Sequence, residues 1–319
     1  MAVYTHITEE HLKKFLTTYD IGALIAWKGI AEGIENSNYY VETDRNRFIL
    51  TLYEKRVNPL DLPFFLTLKQ HLASKNFPCP LPIINREGKI LSELEGRPAA
   101  MVSFLSGKST RTIRNAHIVE LGKAMAQMHL AGANFTMSRE NDFGFSRWQG
   151  MFDPLRASVD KVRPGLEKEM SAQLAFLARE WPKNLPRGVI HADMFPDNVF
   201  FENDELSGVI DFYFACTDFL AYDIAIALNA WCFERHNEFN ITKAKLLLSA
   251  YSSVRPLSEQ EIDAMPILAA GAAMRFLLTR MHDWLNRVEG ALVTPKNPLE
   301  YWERLCFHKG LTHASAYGF

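Results

Sequence analysis

One stretch constrains this chain more than any other: Val189-Ile190-His191-Ala192-Asp193-Met194-Phe195-Pro196-Asp197-Asn198-Val199-Phe200-Phe201, followed by Gly208-Val209-Ile210-Asp211-Phe212. Val199-Phe200-Phe201 and residues 206–210 are apolar, strand-like runs, and Glu202-Asn203-Asp204-Glu205 between them is polar and turn-prone. That pattern predicts a β-hairpin. Antiparallel pairing of its arms folds Asp211 back beside Asn198. Asp193 lies five residues before Asn198, on the loop that enters the hairpin, and Asp211 follows Asn198 by thirteen.

One amide oxygen and one carboxylate placed side by side suit a hard cation such as magnesium. A second carboxylate upstream, at Asp193, is placed to accept a proton from an attacking hydroxyl. A His-x-Asp, four residues, an Asn, and a further Asp after a strand is the spacing that phosphoryl transfer uses. The plain alternative is an ordinary hairpin with polar loop residues. It requires three residue types and a hairpin to coincide by accident.

The remaining composition is that of a soluble globular protein: 319 residues, 48% hydrophobic and 23% charged. Such a length suits one large domain or two lobes, with a core that needs no disulfides. The four cysteines, Cys79, Cys216, Cys232 and Cys306, are scattered without a Cys-x-x-Cys pair, which indicates neither a zinc site nor a disulfide framework. A net charge of −2 with no basic tail makes nucleic acid a poor partner. Residues 1–8 lack the basic start and apolar run of a signal peptide. The most apolar helical stretch, residues 266–278, is interrupted by Arg275 and is too short to span a bilayer. A cytoplasmic protein with no membrane partner is expected, as monomer or homodimer.

Along the chain, residues 8–19 read as a helix capped by Thr8, with Leu12, Phe15 and Leu16 as its apolar stripe. Residues 39–43 and 47–53 read as strands joined by Asp44-Arg45-Asn46. Before them lies a polar, glycine-containing loop, residues 29–38, of a kind that covers phosphates in some nucleotide sites and is a plain hairpin loop in others. Residues 59–73 read as a second helix, ended by the prolines of Phe77-Pro78-Cys79-Pro80-Leu81-Pro82. Short strands at 83–84, 88–94 and 98–105 complete a mixed antiparallel sheet, and Ser106-Gly107-Lys108 breaks the chain. Helices are expected at 115–131, 160–180, 220–233 and 242–254, with two more within 258–285 joined near Pro266. The expected fold is α+β and bilobal: a small antiparallel-sheet lobe over residues 1–105, and a larger, mainly helical lobe over 106–319 that carries the catalytic hairpin.

His191-Ala192-Asp193 through Asn198, then Ile210-Asp211-Phe212, resemble the aminoglycoside phosphotransferase and choline kinase superfamily, small-molecule kinases with a protein-kinase-like fold. Thr217-Asp218-Phe219-Leu220-Ala221-Tyr222-Asp223-Ile224-Ala225 matches that group's Asp-x-x-x-x-Asp-hydrophobic-Ala segment. Protein kinases proper usually carry His-Arg-Asp and Asp-Phe-Gly, where this chain has Ala192 and Tyr213. It also lacks Ala-Pro-Glu, so a small alcohol is a better acceptor than a protein. Within the superfamily, nearly the whole chain resembles the bacterial homoserine kinases of this fold, enzymes of threonine biosynthesis. The likeness runs through Gly33-Ile34-Glu35-Asn36-Ser37-Asn38-Tyr39, Phe48-Ile49-Leu50-Thr51-Leu52-Tyr53-Glu54 and Asp211-Phe212-Tyr213-Phe214-Ala215-Cys216.

The resemblance implies ATP and Mg2+ as cofactors and L-homoserine as acceptor. Asp193 is then the catalytic base, and Asn198 with Asp211 the metal ligands. His191 either contacts the catalytic site or holds the loop and the Asp211 backbone in place. Nucleotide contacts are expected from Gly33, Asn36, Ser37 and Asn38, with adenine against the backbone of the 101–105 connector at Met101 and Ser103. Kinases of this shape usually carry a phosphate-gripping lysine on the third strand. Thr51 stands there, with Lys55 and Arg56 nearby as substitutes or as a solvated strand end. The amino-acid substrate calls for both charges, with Asp218, Arg275, Arg280 and Trp231 as pocket candidates. Asp223 is as readily a structural carboxylate, and Trp231 and Trp284 are as readily core aromatics. Rival readings are a choline, aminoglycoside or other amino-alcohol kinase, and a nucleotide-binding pseudokinase.

Overall fold

The computed structural model describes residues 5–30, 36–54, 58–287 and 295–319. Helix α1 (Glu9–Leu16) starts at Thr8, whose hydroxyl accepts from the His11 N–H, and buries Leu12, Phe15 and Leu16. Strands β1 (Leu24–Ile30), β2 (Asn36–Thr43) and β3 (Arg47–Tyr53) follow. Helix α2 (Leu62–Ser74) comes next, then β4 (Ser92–Leu94) and β5 (Arg97–Ser103). The five strands form one antiparallel sheet in the order β1-β2-β3-β5-β4. Strand β1 goes beyond the sequence expectation: its burial pattern shows no alternation, and Ile25 lies exposed on this edge strand. Strand β2 begins at Asn36, so Asn36, Ser37 and Asn38 lie on a strand rather than in a phosphate loop, while Gly33 falls outside the described residues.

Side chains alternate across a strand, and the sheet divides its residues accordingly. Leu50 and Leu52 of β3 pack with Leu12, Phe15 and Leu16 of α1 in a smaller hydrophobic cluster that ends at Met101. Tyr53, on the other face, joins the larger cluster together with α2 (Leu62, Phe65, Leu66, Leu68) and the helical remainder of the chain. Helix α2 thus bridges the sheet and the helical part.

That part comprises α3 (Asn115–Ala131), α4 (Trp148–Phe152), α5 (Leu166–Glu180), α6 (Leu220–Trp231), α7 (Ile241–Val254), α8 (Glu259–Asp263), α9 (Met265–Leu285) and α10 (Leu299–Lys309). The expected 160–180 helix begins late, because Gly165 adopts φ 80° and interrupts it. Helix α9 is buried along most of its length and packs against α6 and α10. Two short sheets sit among these helices: β6 (Arg187–Ile190) with β9 (Cys216–Phe219), and the hairpin β7 (Val199–Glu202) with β8 (Glu205–Val209).

The chain crosses from sheet to helices at Gly107, whose φ is +89°. Lys108 then pairs with Phe201 of β7 through two backbone bonds of 3.2 and 2.9 Å. A Cβ at Gly107 would lie 2.2 Å from Ser207 Oγ and 2.9 Å from the Phe201 carbonyl. Gly107→Ala should therefore cost roughly 1–3 kcal/mol, through both the left-handed backbone and the clash, read as a lowered melting temperature. No described helix is long and apolar enough to cross a membrane.

Candidate active site

The loop after β6 is held from beneath by one buried carboxylate. Asp223, in the first turn of α6, accepts from the His191 N–H at 3.0 Å and the Ala192 N–H at 2.8 Å. It also meets His129 Nε2 of α3 at 3.1 Å. Burial pushes the Asp223 carboxyl upward, but the His129 bond, the nearby His191 ring and the backbone N–H groups outweigh it and hold the group below the usual carboxylate range. Ala192 takes φ 60°, a left-handed conformation that costs a non-glycine residue on the order of 1 kcal/mol or more. The paired N–H bonds to Asp223 hold it there.

His191 is fully buried. Its Nε2 bonds the Ile210 carbonyl at 3.0 Å, and its Nδ1 accepts from the Asp193 N–H at 3.3 Å. Burial lowers its pKa, which favours the neutral ring that this donor–acceptor pattern requires. Its contacts are those of the second alternative, a side chain that ties the loop to the residue before Asp211.

The loop continues through a 3-10 turn, Pro196–Asn198, into β7. The Asn198 amide nitrogen donates to the Asp193 carbonyl at 2.9 Å and to the Asp193 carboxylate at 3.0 Å. That leaves its amide oxygen as the acceptor. The hairpin turns at Asn203-Asp204, both at positive φ (51° and 70°), as tight two-residue hairpin turns require. Past β8, the Ile210 N–H bonds the Asn198 carbonyl at 2.9 Å, and Asp211 follows in a left-handed conformation, φ 63° and ψ 63°. An amide oxygen and a carboxylate make a hard, all-oxygen donor pair that fits magnesium. No group of three or more His, Cys, Asp or Glu side chains among the described residues is arranged to hold a metal. A cation here would complete its shell with phosphate and water.

Burial raises the Asp193 carboxyl to about 7; Arg275 opposes that shift and Asp211 adds to it. Arg275 is only 2% exposed on α9. It donates to the Ala192 carbonyl, while its Nε has no hydrogen-bond partner among the described residues. Its guanidinium lies 4.2, 5.4 and 5.7 Å from the ring centroids of Phe276, Phe143 and Phe214. These residues line a cavity of about 790 Å³ together with Asp193, Asp61, Arg139, Asn141, Asp142 and Asp283. Arg139 is gripped by Asp61, at 3.1 and 3.0 Å, and by Asp142.

Residues 26–257 match the model of the phosphotransferase enzyme family (APH). The chain belongs to that family. It is 56% identical over 318 residues to a homoserine kinase of Rhizobium rhizogenes, and equally to one of Parvibaculum lavamentivorans. Each alignment covers 100% of this chain and 99% of the relative. Among solved structures, an amicoumacin kinase in complex with AMP-PNP, Ca2+ and Ami superimposes at a TM-score of 0.70 with 14% identity, covering 98% of this chain and 94% of that one. A spectinomycin phosphotransferase with ADP and spectinomycin gives 0.68 at 12%, covering 99% and 98%. The fold is the bilobal, protein-kinase-like α+β fold.

Several candidate positions lie elsewhere than expected. Trp231 is fully buried and donates to the Met194 carbonyl at 2.7 Å, so it supports the loop from behind rather than lining the cavity. Arg280 pairs with Glu300 at 2.7 Å and stacks on Tyr301. Asp218 accepts from Asn141 at 2.8 Å and so positions a cavity residue without lining the cavity itself. Met101 and Ser103 are inside the sheet. The Met101 carbonyl accepts from Ile83, and the Ser103 N–H donates to Leu81, each at 2.8 Å, so neither group is open to adenine. Ser37 is fully buried and donates to Glu54, while Asn38 accepts from Thr51. Lys55 and Arg56 fall outside the described residues. Asp61, Arg139, Asn141 and Asp142 are cavity residues that sequence reasoning misses: three of them come from an aperiodic loop whose one signal is the polar run Ser138-Arg139-Glu140-Asn141-Asp142 between two helices.

Proposed function

We propose that this chain is an ATP-dependent homoserine kinase, transferring the γ-phosphoryl group of ATP to the hydroxyl of L-homoserine to give ADP and O-phospho-L-homoserine for threonine biosynthesis. The full-length identity to homoserine kinases supports the assignment. The observation that carries it at the site is a cavity with both charge signs beside Asp193: guanidiniums at Arg139 and Arg275, carboxylates at Asp61, Asp142 and Asp283. A zwitterionic amino acid needs both. A polycationic aminoglycoside would favour an acidic pocket without Arg275, and choline would favour free aromatic faces. Here Arg275 already covers Phe143, Phe214 and Phe276.

In this reading the Arg275 guanidinium, which lines the cavity and whose Nε has no hydrogen-bond partner among the described residues, takes the substrate carboxylate. The hydroxyl then lies against Asp193, whose carboxyl, poised near neutral pH, suits a general base. As the hydroxyl oxygen bonds the γ-phosphorus, its proton passes to Asp193 and the bond to ADP breaks. Asn198 and Asp211 would hold the divalent cation, magnesium by donor chemistry, and the cation would neutralise charge on the phosphate oxygens. What this chain supplies is orientation and a preformed electrostatic field. The reading divides the chain into a nucleotide-binding part, residues 1–105, and a substrate-binding part, residues 106–319. The turn at Gly107 and the end of the smaller hydrophobic cluster at Met101 support that division.

The test is an ADP-release assay with magnesium and ATP across homoserine, choline, methylthioribose and kanamycin. Release with homoserine alone is expected; release with choline or kanamycin but not homoserine would refute the reading. Arg275→Met should raise the homoserine KM by about 10- to 100-fold, the loss of one charged hydrogen bond, while the ATP KM holds. An unchanged homoserine KM would remove Arg275 from carboxylate recognition.

A further inference from the structure

The phosphates of the nucleotide need a positive charge, and β3 does not supply it at the usual place. Thr51 stands there, buried, with its hydroxyl committed to Asn38 at 2.8 Å. A different cation lies close by. Lys69, on the inward side of α2, is 5% exposed among Phe65, Leu66, Leu68 and Leu72. A lysine so buried is rare unless it is paired. The carboxylate whose charge acts on it is Asp211, and its ammonium lies against an aromatic ring.

Contacts with Tyr213 fix where its ammonium sits. The Lys69 Nζ lies 5.8 Å from the centroid of the Tyr213 ring. Tyr213 is two residues after Asp211, on the 3-10 turn Phe212–Phe214 against which α2 packs. The same ring meets Tyr53 edge-on at 5.7 Å, with the two hydroxyls 3.4 Å apart, and Phe65 of α2 at 5.7 Å. Tyr53 and Thr51 are two apart on β3 and so point to the same face of the sheet. Strand, metal-side turn and helix therefore converge on one corner, and the lysine enters it from the helix instead of the strand.

We propose that Lys69 grips the α- and β-phosphates of the nucleotide in place of the lysine that β3 lacks at Thr51. The inference rests on the ATP-dependent reading above. Its energetic sense is that a buried ammonium is costly in the free protein and is compensated when an anion arrives. Consistently, burial lowers the Lys69 pKa to about 8, with the charges of Cys79 and Asp211 opposing the shift.

Binding measurements test it apart from turnover. In EDTA, the affinities of adenosine and ADP would be measured by calorimetry for wild type, Lys69→Met and Lys69→Arg. Lys69→Met should leave adenosine within about twofold and weaken ADP at least tenfold, while Lys69→Arg stays near wild type for both. The ligand-free Lys69→Met protein should melt higher than wild type, because an apolar chain replaces a buried charge. Equal ADP affinities for wild type and Lys69→Met would overturn the proposal. So would a lowered melting temperature with adenosine and ADP weakened by the same factor, the mark of a structural lysine. If Lys69→Met does not purify folded, Lys69→Gln carries the same comparison. A wild-type enzyme that phosphorylates homoserine while its Lys69→Met form binds ADP normally sinks this inference alone. A wild type that binds ADP through Lys69 but turns over no homoserine sinks the substrate reading alone.

Discussion

Asp193→Ala should lower turnover with homoserine by about 10²- to 10⁴-fold, the range associated with removing a positioned general base. Asp193→Asn should fall nearly as far, because an amide keeps the shape and loses the proton acceptor. The two should differ from a misfolded enzyme in one respect. A carboxyl raised to about 7 binds its proton more tightly in the folded chain than in the unfolded one, whose ordinary value is near 3.9. Folding is therefore penalised progressively as pH rises from about 4 to 7, and the penalty is complete above that. An amide at this position does not ionise and carries no such penalty. Asp193→Asn should thus be dead yet more stable at pH 8, by on the order of 1 kcal/mol or more, and about equal to wild type at pH 4. Steady-state kinetics with urea melts at both pH values check this. Wild-type turnover in Asp193→Ala would reject the base assignment.

Asp223→Ala should be the most destabilising single change at the site, by roughly 3–5 kcal/mol, the cost of removing one member of a buried, fully engaged set. It would strand the N–H groups of His191 and Ala192 and the Nε2 of His129 in a water-free interior. The left-handed turn at Ala192 would lose its hold, and activity would fall with it. The pH dependence runs opposite to that of Asp193. The folded-state pKa of Asp223 is depressed, so its stabilisation is present above the unfolded value, about 3.9, and is lost as pH falls through the folded one. The stability gap between wild type and Asp223→Ala, from urea unfolding, should therefore be constant from pH 5 to 8 and shrink below about 4. A gap under about 1 kcal/mol at neutral pH would mean that the loop is held by something else.

What the sequence discloses is local. The β7–β8 hairpin, the Asn115–Ala131 helix and the Thr8 cap are written in short-range patterns of polarity and turn residues, and each is legible in the order of residues alone. So is the adjacency of Asp193, Asn198 and Asp211, because a hairpin fixes it. What stays hidden depends on contacts between distant segments. Strands β6 and β9 pair residues about thirty apart, and neither carries enough alternation to announce itself. The cavity joins a polar loop at 139–142 to α9, more than a hundred residues later. Arg275 and Arg280 look equivalent in sequence. Five positions on a helix turn the side chain by about 140°, which sends the first to the cavity and the second to Glu300. Lys69 escapes notice because a lysine in an apolar helix ordinarily reads as its solvated edge.

The backbone clasp between Lys108 and Phe201 has one further consequence. It rivets the strap leaving the sheet onto the ribbon that carries Asn198, and the Val209 N–H fastens the same ribbon to the Pro78 carbonyl at 2.8 Å, so a displacement of either strap is passed directly to the loop that holds Asn198.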